Sequence, residues 1–149
     1  LVAGVVIKAT EAQRNSNTLT TMEVIKSSLS KQLQAVIDDG KKKGDITKAV
    51  TDAFPVSVAF ANSPNYIKYK KSNDYGYPGC DLDSYLLRMI LEAGPHSKLE
   101  TDMLPKGAIS PDKAQVLDAW GDPIKLKISI GSKTKFTLSS NNVSESVSN

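Results

Sequence analysis

At 149 residues, 40% of them apolar, the chain is long enough to bury a core and short enough to need only one domain. Nineteen Lys and Arg against sixteen Asp and Glu leave a formal charge of +3, and the cations are scattered, so composition does not mark a dedicated nucleic-acid binder. One cysteine, Cys80, excludes an internal disulfide, and one histidine, His96, excludes a zinc site unless carboxylates supply most of the ligands.

The chain opens on "LVAGVVI", where Leu1, Val2, Val5, Val6 and Ile7 surround Gly4. The run is far short of the ~20 apolar residues that cross a bilayer, and no basic region precedes it. Because the first residue is Leu1 and not a methionine, the run is expected to be the end of a longer apolar segment, left by processing or trimming. Farther on, Met22, Ile25, Leu29, Leu33 and Val36 recur at spacings of three and four, with Lys26, Ser30, Lys31 and Gln34 between them, which predicts a helix with one buried stripe. Residues 8 to 18, "KATEAQRNSNT", carry no large apolar side chain and suit a helix standing in water or at a headgroup layer. No proline interrupts residues 1 to 39, so a continuous helix would be ~58 Å long, against a radius of gyration of ~15 Å for a compact chain of this size. The rod must protrude: residues 1–18 are expected to form its free end and 19–149 a globular head. Gly40 in "DDGKKKG" is expected to take the left-handed position that ends the helix, with the lysines beside the last carbonyls.

In "DITKAVTDAF", Asp45 reads as a cap, Ile46, Ala49, Val50 and Ala53 share a face, and Pro55 terminates a short helix. Residues 62 to 79, "NSPNYIKYKKSNDYGYPG", are rich in turn formers and read as a long surface loop. A second helix starts at Asp81, turns Leu82, Leu86, Met89, Ile90 and Ala93 inward, and stops at Gly94 and Pro95. "SPDKAQ", residues 110 to 115, has Ser at a cap and Pro at the first position of one further turn.

Ile124, Leu126, Ile128 and Ile130 alternate with Lys125, Lys127 and Ser129, the pattern of a strand with one dry face. "GSKT" turns it, and "KFTLSS" returns with Phe136 and Leu138 inward as an antiparallel hairpin. The tail "NNVSESVSN" is expected to be loose. Ahead of the hairpin stands the chain's only tryptophan, in Asp118-Ala119-Trp120-Gly121-Asp122-Pro123. A buried indole would fix the strand's entry by removing ~150–250 Å² from water. Gly121 would permit the bend, Pro123 would lead the strand and hold Asp122 extended, and Asp118 or Asp122 would accept bonds from the indole or nearby amides.

A long N-terminal helix, a variable middle and "DAWGDPIKLKI" before the hairpin resemble the major pseudopilins of type II secretion and related type IV pilin-like proteins. Their heads carry a variant of Asp-Pro-Trp-Gly-Asn-Pro, from which this chain departs at Ala119 and Asp122 with the spacing intact. The resemblance covers residues 1 to 39 and 117 to 140. It implies an α+β pilin-like fold, a long N-terminal helix on a small antiparallel sheet with one or two short helices in the variable region. It further implies a non-catalytic filament subunit that polymerises through Leu1, Val2, Val5, Val6 and Ile7 and the preceding apolar segment to drive protein export. Its partners would be copies of itself, other pseudopilins, an inner-membrane assembly platform and the membrane, with the head in the periplasm. Secretion-type members hold calcium in an aspartate-bearing loop near the C-terminus, but this tail has Glu145 as its sole carboxylate, too few anionic oxygens for that ion, and no cofactor is expected.

Two other readings come from the residues. Tyr66, Tyr69, Tyr75 and Tyr77 interleave with Lys68, Lys70 and Lys71, a pattern that suits single-stranded nucleic acid or glycan on a pilus subunit if the rings are exposed, and simple packing onto the head if they are not. Cys80 and His96 could form a nucleophile and base only if the fold brings them together. Glu11, Glu23, Asp38 and Asp39 are spread along the helix, and no phosphate-cradling loop, hydrolase elbow or zinc spacing occurs, so no enzyme is expected.

Overall fold

The computed structural model describes residues 2–73, 81–97, 103–105, 107–109, 115–130 and 133–148, with side chains from residue 11 to residue 143 of those ranges. Helix α1 runs unbroken over Val2–Lys43, 42 residues, or ~63 Å at 1.5 Å per residue. Met22, Ile25, Leu29, Leu33 and Val36 are all buried, as the spacing predicts, and Thr18, Thr21 and Gln32 join them. The hydroxyl-rich turn before that stripe satisfies itself: Thr20 donates to the Ser16 carbonyl and Thr21 to the Asn17 carbonyl, both at 3.0 Å.

The expected stop at Gly40 is wrong by one turn. The helix passes through this residue to Lys43, and Gly44 takes the left-handed conformation at φ 79°. Gly40 is instead a contact point, since a Cβ there would lie 2.7 Å from the Ile46 Cα of the next helix, α2, over Ile46–Ala53. Absence of a side chain at Gly40 lets the two backbones approach. Asp45 caps α2 by accepting from the Lys48 amide at 3.0 Å, and Val50 and Ala53 face inward. Ile46 is exposed, against expectation, because the first side chain of a helix leans back past its own end; Leu82 is exposed for the same reason.

A 3₁₀ turn at Val58–Phe60 leads to α3, Pro64–Ser72, in the stretch expected to be a loop. The turn formers there are caps: Ser63 accepts from the Tyr66 amide at 3.4 Å, Pro64 sits where its missing N–H costs nothing, and the Asn73 amide closes on the Tyr69 carbonyl. Helix α4, Leu82–Ala93, is capped by Asp81 and ends at Gly94. Tyr85, Leu86, Leu87, Met89, Ile90 and Leu91 are buried, so α4 is covered around most of its circumference.

Strands β1, Lys125–Ile130, and β2, Thr134–Ser139, form the expected antiparallel hairpin, with Leu126 opposite Leu138 and Ile128 opposite Phe136. The tail is not loose over its whole length. Ser144–Ser148 adds a third strand, β3, to the open edge of β2, with Val147 opposite Phe136. Helix α4 covers β1, and α1 lies along α2 and meets β3. The architecture is α+β, a long N-terminal helix with a small antiparallel sheet. The core lies between these layers, where the rings of Phe54 and Phe136 stand 5.0 Å apart and those of Tyr69 and Tyr85 meet edge to face at 5.8 Å. Of the expected further turn at residues 110 to 115, all but Gln115 lies outside the described residues, and Gln115 is not helical.

Candidate assembly surface

Above its buried stripe, α1 is bare from Glu11 to Ser16. Every side chain in that stretch is exposed, and among the described residues burial begins at Thr18. The backbone carrying Val2, Val5, Val6 and Ile7 continues the same helix upward, while Leu1 and the side chains of residues 2–10 lie outside the described set. Among the described residues, no helix is long and apolar enough to cross a membrane.

The first buried turn of α1 meets the Trp120 motif. Thr18 accepts from the Ala119 amide at 3.0 Å, tying the motif to the point where the rod leaves the head. Asp118 organises the turn. It is buried, and one carboxylate oxygen accepts from the amides of Trp120 and Asp122, each at 2.9 Å, while the other accepts from the Asn142 side chain at 3.0 Å. The Asp118 amide donates to the Asp122 carbonyl at 2.8 Å, and Gly121 bends the chain at φ 84°. The indole is therefore not what fixes the strand entry: Trp120 is only half-buried, and the carboxylate does the fastening. Pro123 pairs with Leu117 in an isolated bridge and Ile124 bonds back to Val116, so the motif is a small hairpin of its own, and β1 starts two residues after Pro123. Ser84 on α4 clamps it from below, donating to the Val116 carbonyl and accepting from the Val116 amide, both at 3.1 Å. Asn142, Thr18 and Ser84 were not singled out from the sequence, and nothing in their neighbourhoods distinguishes them from other polar residues.

The tyrosine-lysine segment divides by helical face. Tyr66 and Tyr69 are buried, so neither offers a ring for stacking, which corrects the reading of these two residues as binding platforms. The Tyr66 hydroxyl donates to the Ala53 carbonyl, and burial pushes its pKa well above the usual phenol range. Burial, then the nearby Glu92 carboxylate, raises that of Tyr69 as well, and its hydroxyl lies 3.3 Å from Glu92. Lys70 reaches the Val58 carbonyl at 3.2 Å, whereas Lys68 and Lys71 are exposed. Tyr75, Tyr77 and Cys80 lie outside the described residues.

His96 is engaged elsewhere. It adopts φ 57°, and its Nε2 is 2.5 Å from the Asp39 Oδ2, which joins the loop after α4 to the last turns of α1. That hydrogen bond, with the charges of His96, Lys42 and Lys43, holds the Asp39 carboxyl below its ordinary pKa against the opposing effect of desolvation. Two hollows were missed by sequence reading because they form between elements. One, of about 600 Å³, is lined by Phe54, Pro55, Val56, Phe60, Pro64 and Ile130, with Phe60 68% exposed. The other, of about 440 Å³, is polar and lies between α3 and α4. Among the described residues, no group of three or more His, Cys, Asp or Glu is placed to hold a metal ion.

No protein-family model, no curated protein and no solved structure matches this chain.

Proposed function

We propose that the chain is a non-catalytic structural subunit of a pilin-like filament, in the first instance a type II secretion pseudopilin that polymerises through its N-terminal helix to drive protein export. The observation that carries the reading is the division of α1: one continuous helix is packed on the head from Thr18 onward and bare from Glu11 to Ser16, with an aliphatic run still farther up. An apolar run that extends a helix beyond the bare turns of Glu11 to Ser16 would lower its free energy by meeting lipid or other rods. Burying the five aliphatic side chains of Leu1, Val2, Val5, Val6 and Ile7 between helices would contribute roughly 8–15 kcal/mol before the entropy of association is subtracted. A heterologous contact repeated along a screw axis builds an open filament. The Asp118 turn fits the same reading, because it braces the root of the rod against the sheet. On this account the partners are further copies, other pseudopilins and an inner-membrane platform, and the head stands in the periplasm.

The double substitution Val5→Asp and Val6→Asp, made in the natural gene product in its own host, tests this. Assemblies that sediment from sheared envelope fractions should disappear, while the unfolding midpoint of the head stays unchanged. Undiminished assembly by the variant would remove the proposal.

A further inference from the structure

We propose that the polar hollow between α3 and α4 binds a small, hydroxyl-rich anion, with an acidic monosaccharide as the chemical class that fits. One wall is the face of α3 bearing Asn65, Lys68, Tyr69 and Ser72, at the three- and four-residue spacings that align side chains on a helix, with Asn73 just beyond. The opposite wall is the end of α4 and the turn after it: Glu92, Ala93, Gly94 and Ser97. Its volume, about 440 Å³, falls within the ~300–1,000 Å³ usual for small-ligand sites.

Some of the lining is already committed to holding the site's shape. Tyr69 is pinned edge-on by Tyr85, and its hydroxyl lies 3.3 Å from Glu92. Glu92 also takes the Arg88 guanidinium at 2.5 Å, so its charge is neutralised from outside the hollow. Asn73 donates one side-chain N–H to the Tyr69 carbonyl at 3.0 Å, which leaves its other N–H and its side-chain oxygen for a ligand. By contrast, the side chains of Asn65, Lys68 and Ser72 have no hydrogen bond or ion pair among the described residues, and all three are exposed. What faces the ligand is one unpaired ammonium together with short amide and hydroxyl groups.

That inventory selects among ligand classes. A zwitterion needs a free carboxylate, and the one present is already engaged by Arg88 and Tyr69. A phosphate dianion is poorly served by a single lysine with no guanidinium fork. Bases find no platform, because the Tyr66 and Tyr69 rings are buried. One carboxylate on a ring of hydroxyls matches what remains, with Lys68 on the carboxylate and Asn65, Ser72, Asn73 and Ser97 on the hydroxyls. The site does not depend on polymerisation, so its failure would leave the filament reading untouched.

The test is a titration of the 149-residue chain with glucuronate, glucose and acetate, each followed by amide chemical shifts along α3 and at the end of α4. Glucuronate should saturate shifts in these segments with a Kd in the millimolar range, and glucose and acetate should each bind at least about tenfold more weakly, since each lacks one half of the recognition. Lys68→Met should weaken glucuronate by about tenfold or more, and Asn65→Ala or Ser72→Ala by a smaller factor. None of the three side chains is bonded among the described residues, so the variants should unfold at the parent midpoint. Absence of saturable shifts, equal response to acetate, or indifference to Lys68→Met would each overturn the proposal.

Discussion

Replacing Asp118 by alanine isolates the turn that joins rod, hairpin and sheet. The carboxylate is 4% exposed and accepts three bonds, from the Trp120 and Asp122 amides and the Asn142 side chain. Alanine orphans two backbone amides, while the exposed Asn142 side chain keeps its 3.2 Å bond to Asp122, and an orphaned buried donor costs ~1–3 kcal/mol. Water reaches part of the turn, and the cost of burying the carboxylate is recovered, so the net loss should be about 3 kcal/mol. For a chain of this size that is a fall in melting temperature of ~6–12 °C. Urea unfolding should show a lower midpoint at unchanged slope, and the fluorescence of Trp120, the only indole, should report a looser turn in the folded state. Asp118→Asn, which keeps one acceptor oxygen, should lose roughly half as much. A loss below about 0.5 kcal/mol for alanine would place the site among ordinary surface positions and refute the fastening role.

Gly94→Ala should destabilise by ~2 kcal/mol or more, because its Cβ would stand 2.3 Å from the Gln32 side-chain nitrogen, 2.5 Å from the Ile90 carbonyl oxygen and 2.9 Å from the Tyr66 hydroxyl. Thermal unfolding checks it. Gly40→Ala should act in the same direction by forcing α2 away from α1, and circular dichroism should show both helices retained in a less stable fold. Stability should decline in alkali. Tyr66 and Tyr69 ionise less readily folded than unfolded, so their contribution is intact below pH ~10 and falls by about 1.4 kcal/mol per pH unit for each phenol above it. Tyr66→Phe should flatten that slope in urea titrations taken between pH 9 and 11. In acid, the Asp39 contact with His96 should be lost as the carboxylate protonates below its ordinary range, seen as a shift of the His96 ring resonances with little change in midpoint.

Elements whose apolar residues repeat at one period are legible in the sequence: the α1 stripe from Met22 to Val36, the Leu86, Met89 and Ile90 part of the α4 core, though not its Tyr85, Leu87 and Leu91, and the alternation of β1 and β2. Short elements were not. Helix α3 hides its signal, because the Ser-Pro that starts it and the Ser-Asn that ends it are also the residues of loops. Strand β3 has weak propensity and is held by pairing to β2, a tertiary cause invisible in Ser-Glu-Ser-Val-Ser. Gly40 and Gly44 compete for one role, and packing of α2 decides which takes it. The sequence offers Asp118 or Asp122 as acceptor for the indole or nearby amides; the fold selects Asp118 and the amides, and its partner Asn142 comes from the β2–β3 connection, which no local pattern reveals. Trp120 was given weight for its size, while the buried carboxylate two residues earlier closes the turn.

Whether the bare end of α1 meets its own kind is decided most directly by a single cysteine at Glu11, on a Cys80→Ser background, in the natural gene product expressed in its host. Brief oxidation of intact cells should link subunits through that helix face, and Thr18→Cys, whose side chain is buried against the head, should stay unlinked. Covalent dimers from Glu11→Cys and none from Thr18→Cys are the expected result. A Glu11→Cys chain that remains monomeric, while still folded and at native abundance, would contradict assembly through α1.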